Sequence, residues 1–172
     1  MNNSNDKNKI REFNEKDFHD LLELNNDSVP AVNHLSKGEL KNILLLSEKC
    51  WVADIDDELA ASLIIIGPNQ PYQSDNYTWL ETKFSNFCYV DRIMVSEKHK
   101  RKKLGYTLYN KLEDHAEANG VSQLLCEVNI EPPNPQSIAF HTQLGWEPFF
   151  ERQHAPDKKV QYFKKGITPA QN

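Results

Sequence analysis

"KHKRKKLGYTLYNKL", residues 98–112, is the stretch on which the reading of this chain turns. Its first six positions carry five Lys or Arg side chains and one His, and the pattern then becomes helical, with Leu104, Leu108, Leu112 and Ala116 on one face. By itself such a run is either a patch for a polyanion or a turn that holds a compact anion. The rest of the chain separates the two. Of 172 residues, 20 are Lys or Arg and 25 are Asp or Glu, for a formal net charge of −5. The run takes five of those cations and no acid, so 15 cations face 25 acids elsewhere. A DNA duplex carries about one charge per 1.7 Å, would be repelled by most of this surface, and is normally met by cations spread over a face or groove. Five cations in one turn suit a compact anion better. A nuclear-import peptide and a nucleic-acid patch stay open on pattern alone.

Working outward, "FCYVDRIMV" (87–95) reads as a buried strand, so the basic run is the turn between a strand ending at Val95 and a helix beginning near Gly105. A turn of that kind leaves backbone N–H groups unpaired at the positive end of the helix, where phosphate oxygens bind. A glycine there lets the anion come close. Before it, "KIREF" (9–13) predicts a strand and Asn14 caps a helix through Phe18, Leu21, Leu22 and Asn25. Ser36 with Glu39 is a capping-box signature that opens a second helix through Leu40, Ile43, Leu44 and Leu46. "CWVADI" and "LAASLIII" flank "DDE" as a β-hairpin, and "GPNQPYQSDNYTW" reads as a loop rich in Pro and Asn. After the basic turn, "NG" at 119–120 stops the helix and "LLCEV" (124–128) is a strand. Asn134 and Pro135 start a last helix that Gly145 ends, and "WEPFF" and "VQYFK" close as strands.

With 38% of its residues hydrophobic, the chain is long enough for one domain with a real core, expected over 9–165 between a disordered tail at 1–8 and a loose tail at 166–172. No apolar run approaches the roughly 18 residues of a membrane span, and "MNNSNDKNK" lacks the apolar segment of a signal peptide. A cytoplasmic protein is expected, with no membrane and no nucleic-acid partner. Cys50, Cys88 and Cys126 each lie in an apolar stretch and are expected to be buried free thiols. No Cys or His pair has ligand spacing, so no metal is expected.

The order of elements resembles the GNAT superfamily of N-acetyltransferases over nearly all of residues 9–165. In that family a strand, the turn Arg/Gln-x-x-Gly-x-Gly/Ala and a helix hold the pyrophosphate of acetyl-CoA. On "KRKKLG", Lys100 falls at the Arg/Gln position, Lys103 at the first Gly and Gly105 at the second. Lys103 places a side chain where the family usually has none, which implies a turn shaped differently or opened outward. "NPQSIAFHTQLGW" is similar to a second family segment, with Asn134, Ser137, Phe140, Gly145 and Trp146 in register and His141 in the usual tyrosine place. "VPAV", "NYTW", "YVDRI" and "CEVNIEPPNP" look similar to a branch of bacterial predicted GNAT enzymes of unassigned substrate. The resemblance implies an α/β (α+β) fold: a mostly antiparallel sheet of about six to seven strands with about four helices, splayed between the strands at 87–95 and 124–128.

It also implies acetyl transfer from acetyl-CoA to a primary amine of a small molecule or peptide, by direct attack on the thioester. Cofactor contacts then fall to the backbone around Ile93, Met94 and Val95, to the turn formed by Lys100, Arg101, Lys102, Lys103, Leu104, Gly105 and Tyr106, and to Asn134. Asn134 is equally a good helix N-cap. An ammonium is not a nucleophile, so the reaction needs a base, and the departing thiolate usually takes a proton back. Asp91 is the candidate base. Alternation puts it on one face with Phe87, Tyr89, Ile93 and Val95, unless a bulge reverses the strand, and it sits where many family members carry an acid. The alternative is a carboxylate paired with Arg92 or a loop amide. His141 is the candidate acid, the alternative being a packed helix histidine bonded to a carbonyl. Tyr77, Trp79 and Tyr89 are candidate walls of the amine pocket, or else core. A binding module that holds acyl-CoA as a sensor without catalysis is the competing reading, and a homodimer is left open.

Overall fold

The computed structural model describes residues 8–171. The tail expected at 1–8 lies outside these except for Asn8, which pairs with Ile55. Among the described residues seven strands are present: β1 (Asn8–Glu12), β2 (Lys49–Ile55), β3 (Glu58–Ile66), β4 (Phe87–Val95), β5 (Gln123–Glu131), β6 (Glu147–Ala155) and β7 (Lys158–Gly166). They form one sheet in the order β1-β2-β3-β4-β5-β7-β6, with antiparallel ladders on both sides of a parallel β4–β5 pair. That pair is registered from Phe87↔Gln123 to Tyr89↔Leu125, although both strands run on beyond it. Five α-helices among the described residues accompany the sheet: α1 (Phe18–Asp27), α2 (Lys37–Leu46), α3 (Asp75–Glu81), α4 (Leu104–Ala118) and α5 (Pro135–Gln143). None of the described helices is long and apolar enough to cross a membrane.

The chain groups into two compact units. The first runs through Ile65 and takes up Arg92–Asn110; the second comprises Ile66–Asp91 and the chain from Lys111 onward.

In the first unit the expected caps form. The Asn14 side chain accepts from Lys16 N ahead of α1, and Ser36 and Glu39 close a reciprocal capping box on α2. Leu21, Leu40, Val52, Leu63 and Ile64 are fully buried. Asp56 and Asp57, with φ of 50° and 65°, make the two-residue turn between β2 and β3. This is a left-handed pair filled by aspartates, which tolerate that region better than most side chains.

In the second unit the core is aromatic: Tyr77, Leu80, Phe87, Tyr89, Leu125, Val160 and Tyr162 pack with Ile66. One expectation fails here. The segment read as a loop around "QSDNYTW" contains α3, whose first turn is capped by Ser74 Oγ accepting from Tyr77 N at 3.3 Å. The helix is only seven residues long and follows two prolines, so local pattern hides it; burial of Tyr77 and Leu80 holds it. The strands at 124–128, 146–150 and 160–164 are each longer than expected, because pairing carries polar residues that alternation alone leaves out. The tail expected from 166 begins in order: Gly166 ends β7, and the Ile167 amide donates to Ser122 O at 3.0 Å. Cys50, Cys88 and Cys126 are buried and not joined in a disulfide; burial pushes the Cys50 thiol up to about 12 and that of Cys126 well above its ordinary value.

Candidate active site

In the second unit, three adjacent strands put polar atoms on one apolar face. Tyr89 lies beside Leu125, Glu127 follows Leu125 by two residues and so shares its face, and Tyr162 is directly opposite Glu127 on β7. The first turn of α3 adds Asn76. The Tyr89 hydroxyl donates to Glu127 Oε1 at 2.8 Å and Asn76 Nδ2 to the same oxygen at 3.1 Å. Asn76 Oδ1 in turn accepts from Tyr162 Oη at 2.6 Å and lies 2.9 Å from His154 Nε2. Glu127 is half-buried as a whole residue, but its carboxyl oxygen Oε2 is out of contact with solvent and has no hydrogen-bond partner among the described residues. Burial pushes this carboxyl up to about 7, with the Asp91 charge adding to the rise and the bonds from Tyr89 and Asn76 opposing it. Tyr89 stays a phenol, since burial and then the charges of Glu127 and Asp91 raise it well above its ordinary value.

Asp91 is the last residue of this unit's part of β4. From Asp91 to Val95 burial alternates: Asp91, Ile93 and Val95 are half-buried while Arg92 and Met94 are buried. The Asp91 carboxylate accepts a short hydrogen bond from the Tyr72 hydroxyl. Arg92, on the opposite face, bonds Asn25 Oδ1 at 2.6 Å and Asn33 Oδ1 at 3.2 Å in the first unit.

His141 is buried in α5, with Nδ1 2.7 Å from the Ser137 carbonyl and its ring stacked on Phe163 at 5.6 Å and edge-on to Trp146 at 5.3 Å. A carbonyl can only accept, so Nδ1 carries a proton. Burial holds the imidazole below its ordinary pKa. This is the arrangement of the packed alternative. Asn134 caps α5 through Oδ1 to Ser137 N at 3.3 Å, leaving its side-chain N–H groups to other acceptors.

The aromatic residues predicted as pocket walls divide. Tyr77 is fully buried, with its hydroxyl on the Gly67 carbonyl at 2.7 Å. Tyr89 is also buried and reaches Glu127. Trp79, half-buried, stacks with Tyr162 at 4.5 Å and Phe150 at 4.9 Å.

In the first unit β4 ends at Val95, a 3-10 turn spans Glu97–His99 and α4 starts at Leu104. Lys98 pairs with Glu58 at 2.5 Å and Lys100 with Glu97 at 2.5 Å, so two of the five cations already have acids. Lys102 Nζ lies 3.3 Å from Nδ1 of the buried His99. Arg101 and Lys103 are exposed and make no ion pair among the described residues. Both have positive φ, 68° and 58°. Lys103 therefore holds a left-handed backbone that a glycine would favour, at a cost of about 1–2 kcal/mol for an L residue.

The sequence passed over Glu127, Asn76, Tyr72 and Tyr162. For Glu127 a signal existed: one acid inside "LLCEV" whose alternation aims it with Leu125 into the core face. For Asn76 and Tyr72 none did, because α3 was invisible.

The fold is shared with the ribosomal-protein-S18-alanine N-acetyltransferase of Escherichia coli, at TM-score 0.75 and 18% identity over 95% of this chain and 96% of that one. Ard1 from Thermoplasma volcanium has TM-score 0.77 and 12% identity over 94% and 99%. yncA from Salmonella typhimurium, solved with its cofactor acetyl-CoA, has TM-score 0.70 and 16% identity over 95% of each chain. No curated protein matches the sequence. The family model described as the acetyltransferase (GNAT) family matches residues 12–146, and this chain belongs to that family.

Proposed function

We propose that this protein transfers the acetyl group of acetyl-CoA to a primary amine of a small molecule or peptide, with Glu127 as the proton acceptor. The observation that carries this reading is the enclosed Glu127 carboxyl, raised to about 7 beside the Asp91 carboxylate. A base is most effective when its pKa lies near the working pH, and a buried carboxyl with an unpartnered oxygen meets that requirement where an exposed one at its ordinary value does not. Asp91, held by Tyr72, remains in the proposal as the negative charge that draws in the ammonium.

Glu127 takes a proton from the ammonium, and the neutral amine nitrogen then attacks the thioester carbonyl carbon. The C–S bond breaks as the tetrahedral oxyanion collapses. The nitrogen's second departing proton goes to solvent, and the thiolate takes one back. A thiol's pKa is about 8.5, so the thiolate leaves without a dedicated acid near neutral pH. His141, with its Nδ1 proton on Ser137, is assigned to packing in this reading. His141→Phe is then expected to lower thermal stability while changing kcat less than tenfold, and a hundredfold loss that His141→Tyr restores would return it to the acid role.

The cofactor is assigned to the backbone of Ile93, Met94 and Val95 and the turn from Lys100 to Tyr106. Arg101, Lys102 and Lys103 supply the turn's charge, since Lys100 is shared with Glu97. Replacing Lys103 by Gly relieves the left-handed backbone and is expected to stabilise the fold by about 1 kcal/mol, read as a higher melting temperature. If backbone amides hold the phosphates, the same variant binds acetyl-CoA at least as tightly. Weaker binding assigns that task to the ammonium.

Thermal shift with acetyl-CoA, followed by thiol release over an amine panel, tests the proposal. Acetyl-CoA binding with no thiol release for any amine would favour the sensor reading.

A further inference from the structure

Glu127 needs its proton and its orientation under control, and the groups that set both sit on four other elements. Tyr89 and Asp91 come from β4, Asp75 and Asn76 from α3, Arg152 and His154 from β6, and Tyr162 from β7, with Tyr72 and Lys158 flanking them. Asn76 is the one that faces both ways. Its amide could turn over, exchanging donor and acceptor ends, and the two orientations favour opposite states of Glu127. With Nδ2 toward the carboxyl the amide donates and favours the carboxylate; with Oδ1 there it would favour the protonated acid.

The surroundings select the first orientation. Tyr162 Oη has a single proton, and the Arg152 guanidinium beside it can only donate, which occupies the oxygen and sends the phenol proton to Asn76 Oδ1 at 2.6 Å. Burial and then the charges of Arg152 and Lys158 hold His154 neutral, below its ordinary value. His154 Nε2 lies 2.9 Å from the same oxygen, and in the tautomer with its proton on Nε2 the neutral ring donates there. Two donors at one end leave the N–H₂ end for Glu127 Oε1 at 3.1 Å. Arg152 also ties the helix in place through the Asp75 carbonyl at 3.2 Å.

We propose that Asn76 is a positioning residue for Glu127, locked in one amide orientation by Tyr162, His154 and Arg152 so that the carboxyl is held ready to accept a proton. This rests on the assignment of Glu127 as base, and it places the control of that base on α3, β6 and β7.

The test is the ¹³C titration of the Glu127 carboxyl by NMR, assigned with Glu127→Gln, together with the pH profile of kcat/KM on the best amine. Removing a hydrogen bond to a charged group moves a carboxyl upward, so Asn76→Ala is expected to raise the Glu127 midpoint by about one pH unit and to move the acid limb of the rate with it. Tyr162→Phe, a conservative change in the core, should move both in the same direction. His154→Gln, which keeps an N–H donor, should move them less than His154→Ala. An unchanged Glu127 midpoint in Asn76→Ala overturns the proposal, even if the rate falls, because a merely structural residue would lower rate without moving the titration. Failure of the base assignment looks different: Glu127→Gln stays active while Asn76→Ala still shifts the carboxyl.

Discussion

Glu127→Gln is expected to lower kcat by about 10² to 10⁴, the range for loss of a positioned base, while acetyl-CoA binding stays near its wild-type value. The amide keeps the shape of the side chain and still accepts from Tyr89 and Asn76, so the loss isolates proton transfer. In the wild-type enzyme the carboxyl must be ionised to act, and the rate should rise with pH through about 7. Stability should move the other way. A carboxyl raised from 4.5 to about 7 favours the folded state when protonated. That contribution is complete below pH 4.5 and is lost as pH climbs through 7, by roughly 3 kcal/mol at 1.36 kcal/mol per unit. The Gln variant carries no such charge. It should match the wild type near pH 4 and exceed it at pH 8, by about 2–4 °C in melting temperature for each kcal/mol recovered. A variant slower and more stable at pH 8 is the signature of a functional group held against its own solvation. Full activity in Glu127→Gln would remove the base assignment, and loss of the pH-dependent stability difference would show that the carboxyl is solvated.

Much of this fold could be read from local chemistry. Asn14, Ser36 with Glu39, and Asn134 before Pro135 announce helix starts because each supplies an oxygen to orphaned N–H groups; Ser36 and Asn134 cap α2 and α5, while Asn14 caps the 3-10 turn Glu15–Asp17 that leads into α1. Leu104, Leu108, Leu112 and Ala116 mark α4 because one buried face repeats at helical spacing. What stayed hidden depends on contacts distant in sequence. α3 is too short to stabilise itself and owes its existence to a core assembled from β4, β5 and β7. Glu127 is one acid in a strand until Tyr89, Asn76 and Tyr162 surround it from residues 35 or more positions away in the chain. Asp91 was legible as a residue, but its Tyr72 partner was not, because the loop that carries Tyr72 is placed by the same unseen helix. Lys103 shows the reverse case: the sequence has a lysine in place of the family glycine, and its backbone is left-handed, the region a glycine favours.

Tyr77 decides whether that hidden helix is scaffold or pocket wall, and Tyr77→Ala is expected to cost about 3–5 kcal/mol, as aromatic truncations in well-packed cores do. The ring has no exposed surface. It meets Tyr72, Phe87 and Tyr89 edge-on at 5.6, 6.0 and 5.6 Å, contacts each worth about 0.5–1.5 kcal/mol beyond burial. Its hydroxyl is equally committed. It donates to the Gly67 carbonyl at 2.7 Å, accepts from the Gln70 amide at 3.0 Å and lies 3.0 Å from Glu81 Oε1. Burial, with the Glu81 charge beside it, pushes the phenol up to about 12, so it remains a donor at any working pH. Tyr77→Phe keeps the ring and strips these bonds from a buried carbonyl and a loop amide, which should cost about 1–3 kcal/mol. Because residues 67–70 lead into the segment that carries Tyr72, the Phe variant should also loosen the hydroxyl that meets Asp91, raising KM for the amine modestly with kcat little changed. Urea midpoints measured with both variants check the order Ala below Phe below wild type. If Tyr77 instead lines the amine pocket, Tyr77→Phe leaves the urea midpoint where it was and changes only which amines react.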